Sequence, residues 1–209
     1  WPGKTVPEVL AELRSNHPQP GELLDVYRKF MRDSRQFIID HDLVTIPKGE
    51  NLEIQETPEF QRPTLPFAAY LMPGPFEKEQ QGVFWVTPVD LNLPDEERET
   101  RLRGHPYGKI AVTAVHEGYP GHHLQLVRGN AASTMPRKIA ASTLFVEGWA
   151  FYCEEMMEQQ GFLTDPASKF LRLSDQLWRA CRIVIDVGLH TRGMSVDEGI
   201  DMLVNVAGL

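Results

Sequence analysis

The 209-residue sequence predicts a mainly α-helical chain that carries a small β-sheet. Three long stretches read as helices: Gly21 to His41, Pro136 to Gln160 and Asp165 to His190. The first keeps its apolar residues roughly three or four apart, which gives it one buried face. Runs rich in β-branched and aromatic residues are short and confined to Leu43–Thr87. Prolines punctuate the same region, at Pro58, Pro63, Pro66, Pro73 and Pro75, and interrupt it with turns.

In chain order, Thr5-Val-Pro-Glu8 is a capping box with proline in the first turn, opening a short helix to about Asn16. Pro18 and Pro20 break it. The helix from Gly21 to His41 buries Leu23, Leu24, Tyr27, Phe30, Met31, Phe37 and Ile38. Short strands are expected at Val44–Ile46 and Leu52–Gln55 around a turn at Lys48–Asn51, and at Phe67–Met72. Gly82–Thr87 is the strongest strand pattern and ends at Pro88. Asp90–Gly104 reads as a charged loop with some helix. Tyr107–Gly118 is a helix, Asn130–Ser133 a loop, and Pro136 opens a long helix to Gln160 with Gly161 beyond its end. Asp165-Pro166 starts the next helix, and the capping box Ser195-Val-Asp-Glu198 the last.

Bulk properties narrow the function classes. A chain of this length buries a sizeable core and is expected to form one domain, residues 1–209. The formal charge of −8, with no run of Lys and Arg, argues against a nucleic-acid partner. No apolar stretch approaches the ~20 residues of a membrane span, and no signal peptide is visible, which leaves the compartment open. Cys153 and Cys181 sit in apolar helical patterns and are expected as buried thiols rather than a disulfide framework.

The chemistry concentrates in A-V-H-E-G-Y-P-G-H-H-L-Q, Ala114–Gln125. A helix bearing H-E-x-x-H offers two imidazoles to Zn²⁺ from one face, and its Glu serves as general base. Here position 120, where the second His of that pattern would stand, is Pro. On a regular helix His123, seven residues on, shares the face of His116. Pro120 and Gly121 predict a bulged or broken helix instead. Read as the zinc pattern with two inserted residues, the second ligand is His122, with His123 as its rival. A third protein ligand is needed, and Glu147 is the candidate, because it lies in the apolar run Leu144–Phe151 where an isolated buried charge is costly. Glu154, on the same helix face, is an alternative ligand or an orienting partner.

H-E-G-Y-P-G-H-H-L-Q (116–125), F-V-E-G-W-A-F-Y (145–152) and I-D-V-G-L-H-T-R-G-M-S (185–195) together resemble the bacterial family known as domain of unknown function 885. That family resembles zincin-type metallopeptidases, notably the thimet oligopeptidase and carboxypeptidase Taq groups. The likeness covers about Leu65 to Leu209. It implies a zincin-like metallopeptidase catalytic domain, with Gly121-His122 and Phe145-Val146-Glu147 matching two ligand motifs, a second reason to prefer His122. It also implies a longer parent protein, of which this chain, beginning at Trp1, is a C-terminal-half piece. A Tyr- and Gly-containing segment is expected beyond Leu209.

The expectation is therefore a zinc-dependent hydrolase of peptide or other small amide bonds. His116, His122 and Glu147 hold one Zn²⁺, preferred over Fe²⁺ or Mn²⁺, and Glu117 is the general base. His190 is the candidate oxyanion donor. Arg192 or Arg182 meets a substrate carboxylate, Tyr119 is expected to face substrate, and His123, if it is not the ligand, to orient the site or bind substrate. His190 and Arg192 equally suit a plain helix-end role. By resemblance, Phe67–Met72 or Gly82–Thr87 supplies an edge strand for peptide pairing, with ordinary core strands as the alternative. The rival functions are a non-peptidase zinc hydrolase and an inert binding or structural module. A di-iron bundle fits least, because no Glu-x-x-His pair is present.

Overall fold

The computed structural model describes residues 1–208. Nine α-helices and three strands follow in the order α1 Val6–Ser15, α2 Leu23–Asp40, β1 Glu50–Glu56, β2 Ala68–Leu71, β3 Gln80–Val86, α3 Asp95–Leu102, α4 Tyr107–Thr113, α5 His122–Asn130, α6 Met135–Ile139, α7 Thr143–Gln159, α8 Pro166–Thr191 and α9 Val196–Asn205. The fold is thus mainly helical with one small mixed sheet. No described helix is long and apolar enough to cross a membrane.

Local chemistry sets several boundaries. Glu8 accepts from both the Thr5 amide and its hydroxyl at the start of α1, and Glu198 and Ser195 bond reciprocally at the start of α9. The Asp165 carboxylate accepts from the Ala167 amide and opens α8. Gly161, at φ +92°, ends α7 in the left-handed conformation that glycine tolerates.

The sheet order is β1-β3-β2, with β1 parallel and β2 antiparallel to β3. Phe84 and Val86 of β3 are fully buried against Leu23, Tyr27 and Met31 of α2 and Ile110 of α4. The other face of α4 contributes Ala111 and Val112, which pack with Val115, Leu124, Cys153 and Met157. The helix that leads into the His-Glu motif is therefore held on two sides by apolar packing.

Three expectations change, and one, the helix within Asp90–Gly104, takes definite bounds. Val44–Ile46 forms no strand, because β1 pairs with β3; Leu43, Val44 and Ile46 pack on the core as irregular chain. Residues 95–102 form a full helix, α3, with Asp95, Glu96 and Glu97 in the first turn where they complement the dipole. The helix expected over 136–160 is two, α6 and α7, broken where Ala140 turns to extended backbone at ψ 99°. Finally, β3 lies in the middle of the sheet with both edges paired, so Gly82–Thr87 has no free edge for a peptide; Ala68–Leu71 is an edge strand.

A buried histidine lies beside the cluster that holds Tyr27 and Phe84. His105 is 2% exposed and its Nδ1 meets the Tyr27 hydroxyl at 3.1 Å. Burial, with a smaller contribution from nearby His17, pushes its pKa down to about 4. The neutral form is the folded form, so its contribution to stability is complete above the unfolded value near 6.5. It is lost as pH falls toward 4, and amounts to roughly 3 kcal/mol at most. Urea unfolding followed from pH 7 to 4 is expected to show a shallower acid loss in His105→Gln than in the wild type. Parallel acid limbs would refute the assignment.

Candidate metal centre

The motif leaves α-helical geometry where its sequence demands it. Pro120 has no N–H to give the His116 carbonyl, so the regular ladder cannot close. The chain widens into a π-helical turn over Ala114–Gly118, with the Tyr119 amide donating to the Ala114 carbonyl at 3.2 Å and the Gly121 amide to the Val115 carbonyl at 3.0 Å. A Cβ on Gly121 would stand 1.9 Å from the His116 carbonyl oxygen, so only glycine fits. The Tyr119–Pro120 peptide is cis. Helix α5 then starts with His122 itself.

The break turns two imidazoles toward one another. The His116 and His122 rings lie 4.7 Å apart, centre to centre, at 87°. Glu147, on the exposed first half of α7, places Oε2 3.8 Å from His116 Nε2 and 3.7 Å from His122 Nε2. Each of these two separations is a little longer than the roughly 3.4 Å between neighbouring ligand atoms around tetrahedral zinc with bonds near 2.1 Å. Glu117 also belongs to the cluster: His116, Glu117 and His122 offer ligand atoms within 4.8 Å of one another.

The second layer orients His116. Its Nδ1 meets Glu154 Oε1 at 2.7 Å, and Arg179 of α8 donates to the same oxygen at 3.0 Å. A carboxylate on Nδ1 fixes the proton there and leaves the Nε2 lone pair facing the cluster, as in carboxylate–histidine–metal arrangements. Burial alone would raise the Glu154 pKa, but His116 and Arg179 overcome it and hold the group below the usual carboxylate range. Burial, reinforced by His116 and Arg179 and opposed by Glu147, lowers His122 to about 4, so its imidazole is neutral near pH 7, as a ligand must be. Burial pushes Glu117 upward; His116 and Arg179 oppose this, while Glu147 and Glu154 add to it. The residues present therefore fit a divalent ion with nitrogen and oxygen donors.

His123 goes elsewhere. It is fully buried, with Nε2 2.9 Å from Glu50 Oε2 and Nδ1 3.1 Å from the Tyr70 hydroxyl. Tyr119 is also buried and donates its hydroxyl to Glu50 at 2.6 Å. Substrate contact by either does not fit, because their polar atoms are already used inside the protein. His190 does not reach the cluster either. Arg179 marks where α8 passes the site, and His190 lies eleven residues on, roughly 16 Å further at 1.5 Å per residue. Its Nδ1 is 2.8 Å from the Asp186 carbonyl oxygen, within its own helix. Arg192 is exposed just past the same helix end, and Arg182 lies over the Trp178 ring at 5.0 Å. Arg179, Glu50 and Tyr70 carried no sequence signal. A cation in an amphipathic helix and a glutamate beside a turn are ordinary.

The site lies apart from two concavities of the surface. Surface concavities of about 240 Å³ between α2 and β1 and about 500 Å³ among α1, α3 and α8 do not include it. Around Glu147, Leu144 and Phe145 are exposed.

Helices, a small mixed sheet and an interrupted His-Glu motif define a helical domain with a candidate centre for a divalent metal. The chain belongs to the DUF885 family, bacterial proteins of unknown function, whose model matches residues 2–209. It is similar in structure to a Shewanella oneidensis protein described as a lipoprotein of unknown function, with a TM-score of 0.84 and 26% identity over 97% of this chain. The match spans 36% of that protein's chain. No curated protein matches.

Two glycines near the site make opposite predictions. Gly121→Ala forces a Cβ into the backbone and is expected to cost 3 kcal/mol or more, beyond the ~1–3 kcal/mol of ordinary overpacking. Gly129→Ala, with no atom near the added Cβ, is expected to stabilise α5 by about 0.5 kcal/mol. Thermal unfolding of both reads the difference, and equal melting temperatures would contradict the close approach at Gly121.

Proposed function

We propose that this chain carries the metal centre of a zinc-dependent hydrolase acting on peptide or related amide bonds, in a zincin-like domain. The observation that carries the reading is the convergence of His116 Nε2, His122 Nε2 and Glu147 Oε2, with His116 held from behind by Glu154 and Arg179. Those three side chains would hold the ion.

Zinc in such a centre supplies Lewis acidity, acidifying water and polarising a carbonyl oxygen. The chain's own residues supply the proton handling. Glu117 adjoins both histidines, and its upward-shifted pKa brings a carboxylate closer to neutral pH, where a general base works best. It accepts the proton of water and returns it to the leaving nitrogen. Glu154 keeps the His116 proton on Nδ1 throughout, and Arg179 keeps Glu154 ionised. Two imidazoles and one carboxylate also suit ferrous iron, but a glutamate directly after the first histidine has a use in hydrolysis and none in oxygenation. The preference for peptides over other amides or esters rests on the likeness of the motifs to zincin peptidases.

The test separates metal from chemistry. The wild type is expected to retain about one zinc per chain after dialysis, and His116→Ala and Glu147→Gln to lose it. Glu117→Gln is expected to keep zinc while hydrolysis of a mixed peptide, amide and ester panel falls about 10²- to 10⁴-fold. Undiminished turnover in Glu117→Gln would remove it as the base. Zinc absent from the wild type would leave a binding or structural module as the better account.

A further inference from the structure

Behind the candidate ligands lies a second buried carboxylate that the proposed chemistry does not use. Glu50 opens β1, and its side chain is 1% exposed. It collects four donors from three elements: Tyr119 O–H at 2.6 Å, His123 Nε2 at 2.9 Å, and Arg35 of α2 through Nε at 3.0 Å and a terminal nitrogen at 2.8 Å. Burial works against its ionisation, yet His123, Tyr119 and Arg35 bring its pKa down to about 2. The group is a fixed negative charge at any ordinary pH.

What Glu50 grips matters more than its charge. Tyr119 and His123 are the residues on either side of Pro120-Gly121-His122, the segment that carries the chain from the π-helical turn into α5. One carboxylate oxygen, Oε2, bonds both. It therefore ties the two ends of that turn together across four residues of sequence. On its far side His123 is held again, by the Tyr70 hydroxyl of β2 at 3.1 Å. Strand β3 passes so close that a Cβ on Gly82 would lie 2.6 Å from His123 Nδ1 and 2.9 Å from the Tyr70 ring. The small sheet is thus built against the turn, with a glycine where the fit is tightest.

We infer that Glu50 is a positioning residue for the metal centre: by clamping Tyr119 and His123 it fixes the separation and facing of His116 and His122, and the sheet supports the clamp through Tyr70. The inference rests on the metal reading given above. It assigns His123 a place behind the ligand set, next to His122 in sequence and turned away from it in space. Loss of partners that orient ligands costs metal sites about 10- to 100-fold in affinity.

The test compares zinc affinity, by competition with a chromophoric chelator, and the visible spectrum of the Co²⁺-loaded chain in five proteins. These are the wild type, His116→Ala, Glu50→Gln, Tyr70→Phe and Thr87→Val. The last removes a buried hydroxyl that bonds Thr57 and Leu65 elsewhere on the sheet, and serves as the control for simple destabilisation. Glu50→Gln is expected to weaken zinc binding at least 10-fold and alter the Co²⁺ spectrum, and Tyr70→Phe to weaken it about 3-fold, at temperatures where each is folded by circular dichroism. Thr87→Val is expected to bind as the wild type does. Where Glu50→Gln does not fold, Tyr70→Phe decides. Zinc binding lost in His116→Ala but unchanged in the folded Glu50 or Tyr70 variants overturns this inference alone. Equal loss in Thr87→Val overturns it too. A wild type without zinc affinity overturns the metal reading and this inference with it.

Discussion

The arrangement depends on one missing hydrogen. Pro120 offers no N–H to the His116 carbonyl, and an α-helix cannot continue through that position. Had the ladder closed, His116 and His123 would share a face and His122 would point away from it. The interruption reverses this outcome. The π-helical turn and the restart at Gly121 bring His122 to His116 and send His123 inward. Gly121 makes the reversal sterically possible, and Glu50 fastens its two ends.

Two buried carboxylates then face the problem that a lone internal charge is unfavourable. Each is solved with an arginine from a different helix: Arg179 of α8 for Glu154, Arg35 of α2 for Glu50. Both arginines remain partly exposed while their carboxylates are covered, so the cations keep some hydration as they neutralise the interior. Helix α2 packs on the π-helical turn, and α8 reaches the motif through the Arg179–Glu154 pair. Removing either arginine leaves a buried carboxylate short of its compensating charge, so both pairs couple the site to the helices that supply the arginines.

The sequence was legible where local rules decide. Capping boxes at Thr5 and Ser195 mark real helix starts, Asp165 caps α8, and the Pro-Gly pair announces a broken helix that the structure contains. It was not legible where tertiary pairing decides. Nothing in Val44–Ile46 says that Glu50–Glu56 will choose a partner thirty residues away, in parallel, over its neighbour. The break between α6 and α7 falls in Ala-Ala-Ser, where no glycine or proline warns of it. Within the candidate site, His116, Glu117, His122 and Glu147 stood out by spacing and by charge in an apolar setting. Glu50 and Arg179 did not, because their significance lies entirely in what folds against them. His190 stood out for sitting at a helix end, where it bonds its own helix.

One contact gives the molecule an internal witness. The Trp149 indole N–H donates to the Pro120 carbonyl at 2.8 Å, and the Cys153 thiol lies 3.7 Å from the same oxygen. A fluorophore from α7 is thereby wired to the peptide whose geometry sets the spacing of the histidines. Its emission wavelength and lifetime follow the polarity around that carbonyl. With the other three tryptophans, Trp1, Trp85 and Trp178, replaced, light from this one indole reports, without any added label, whether the bend behind the histidines is intact.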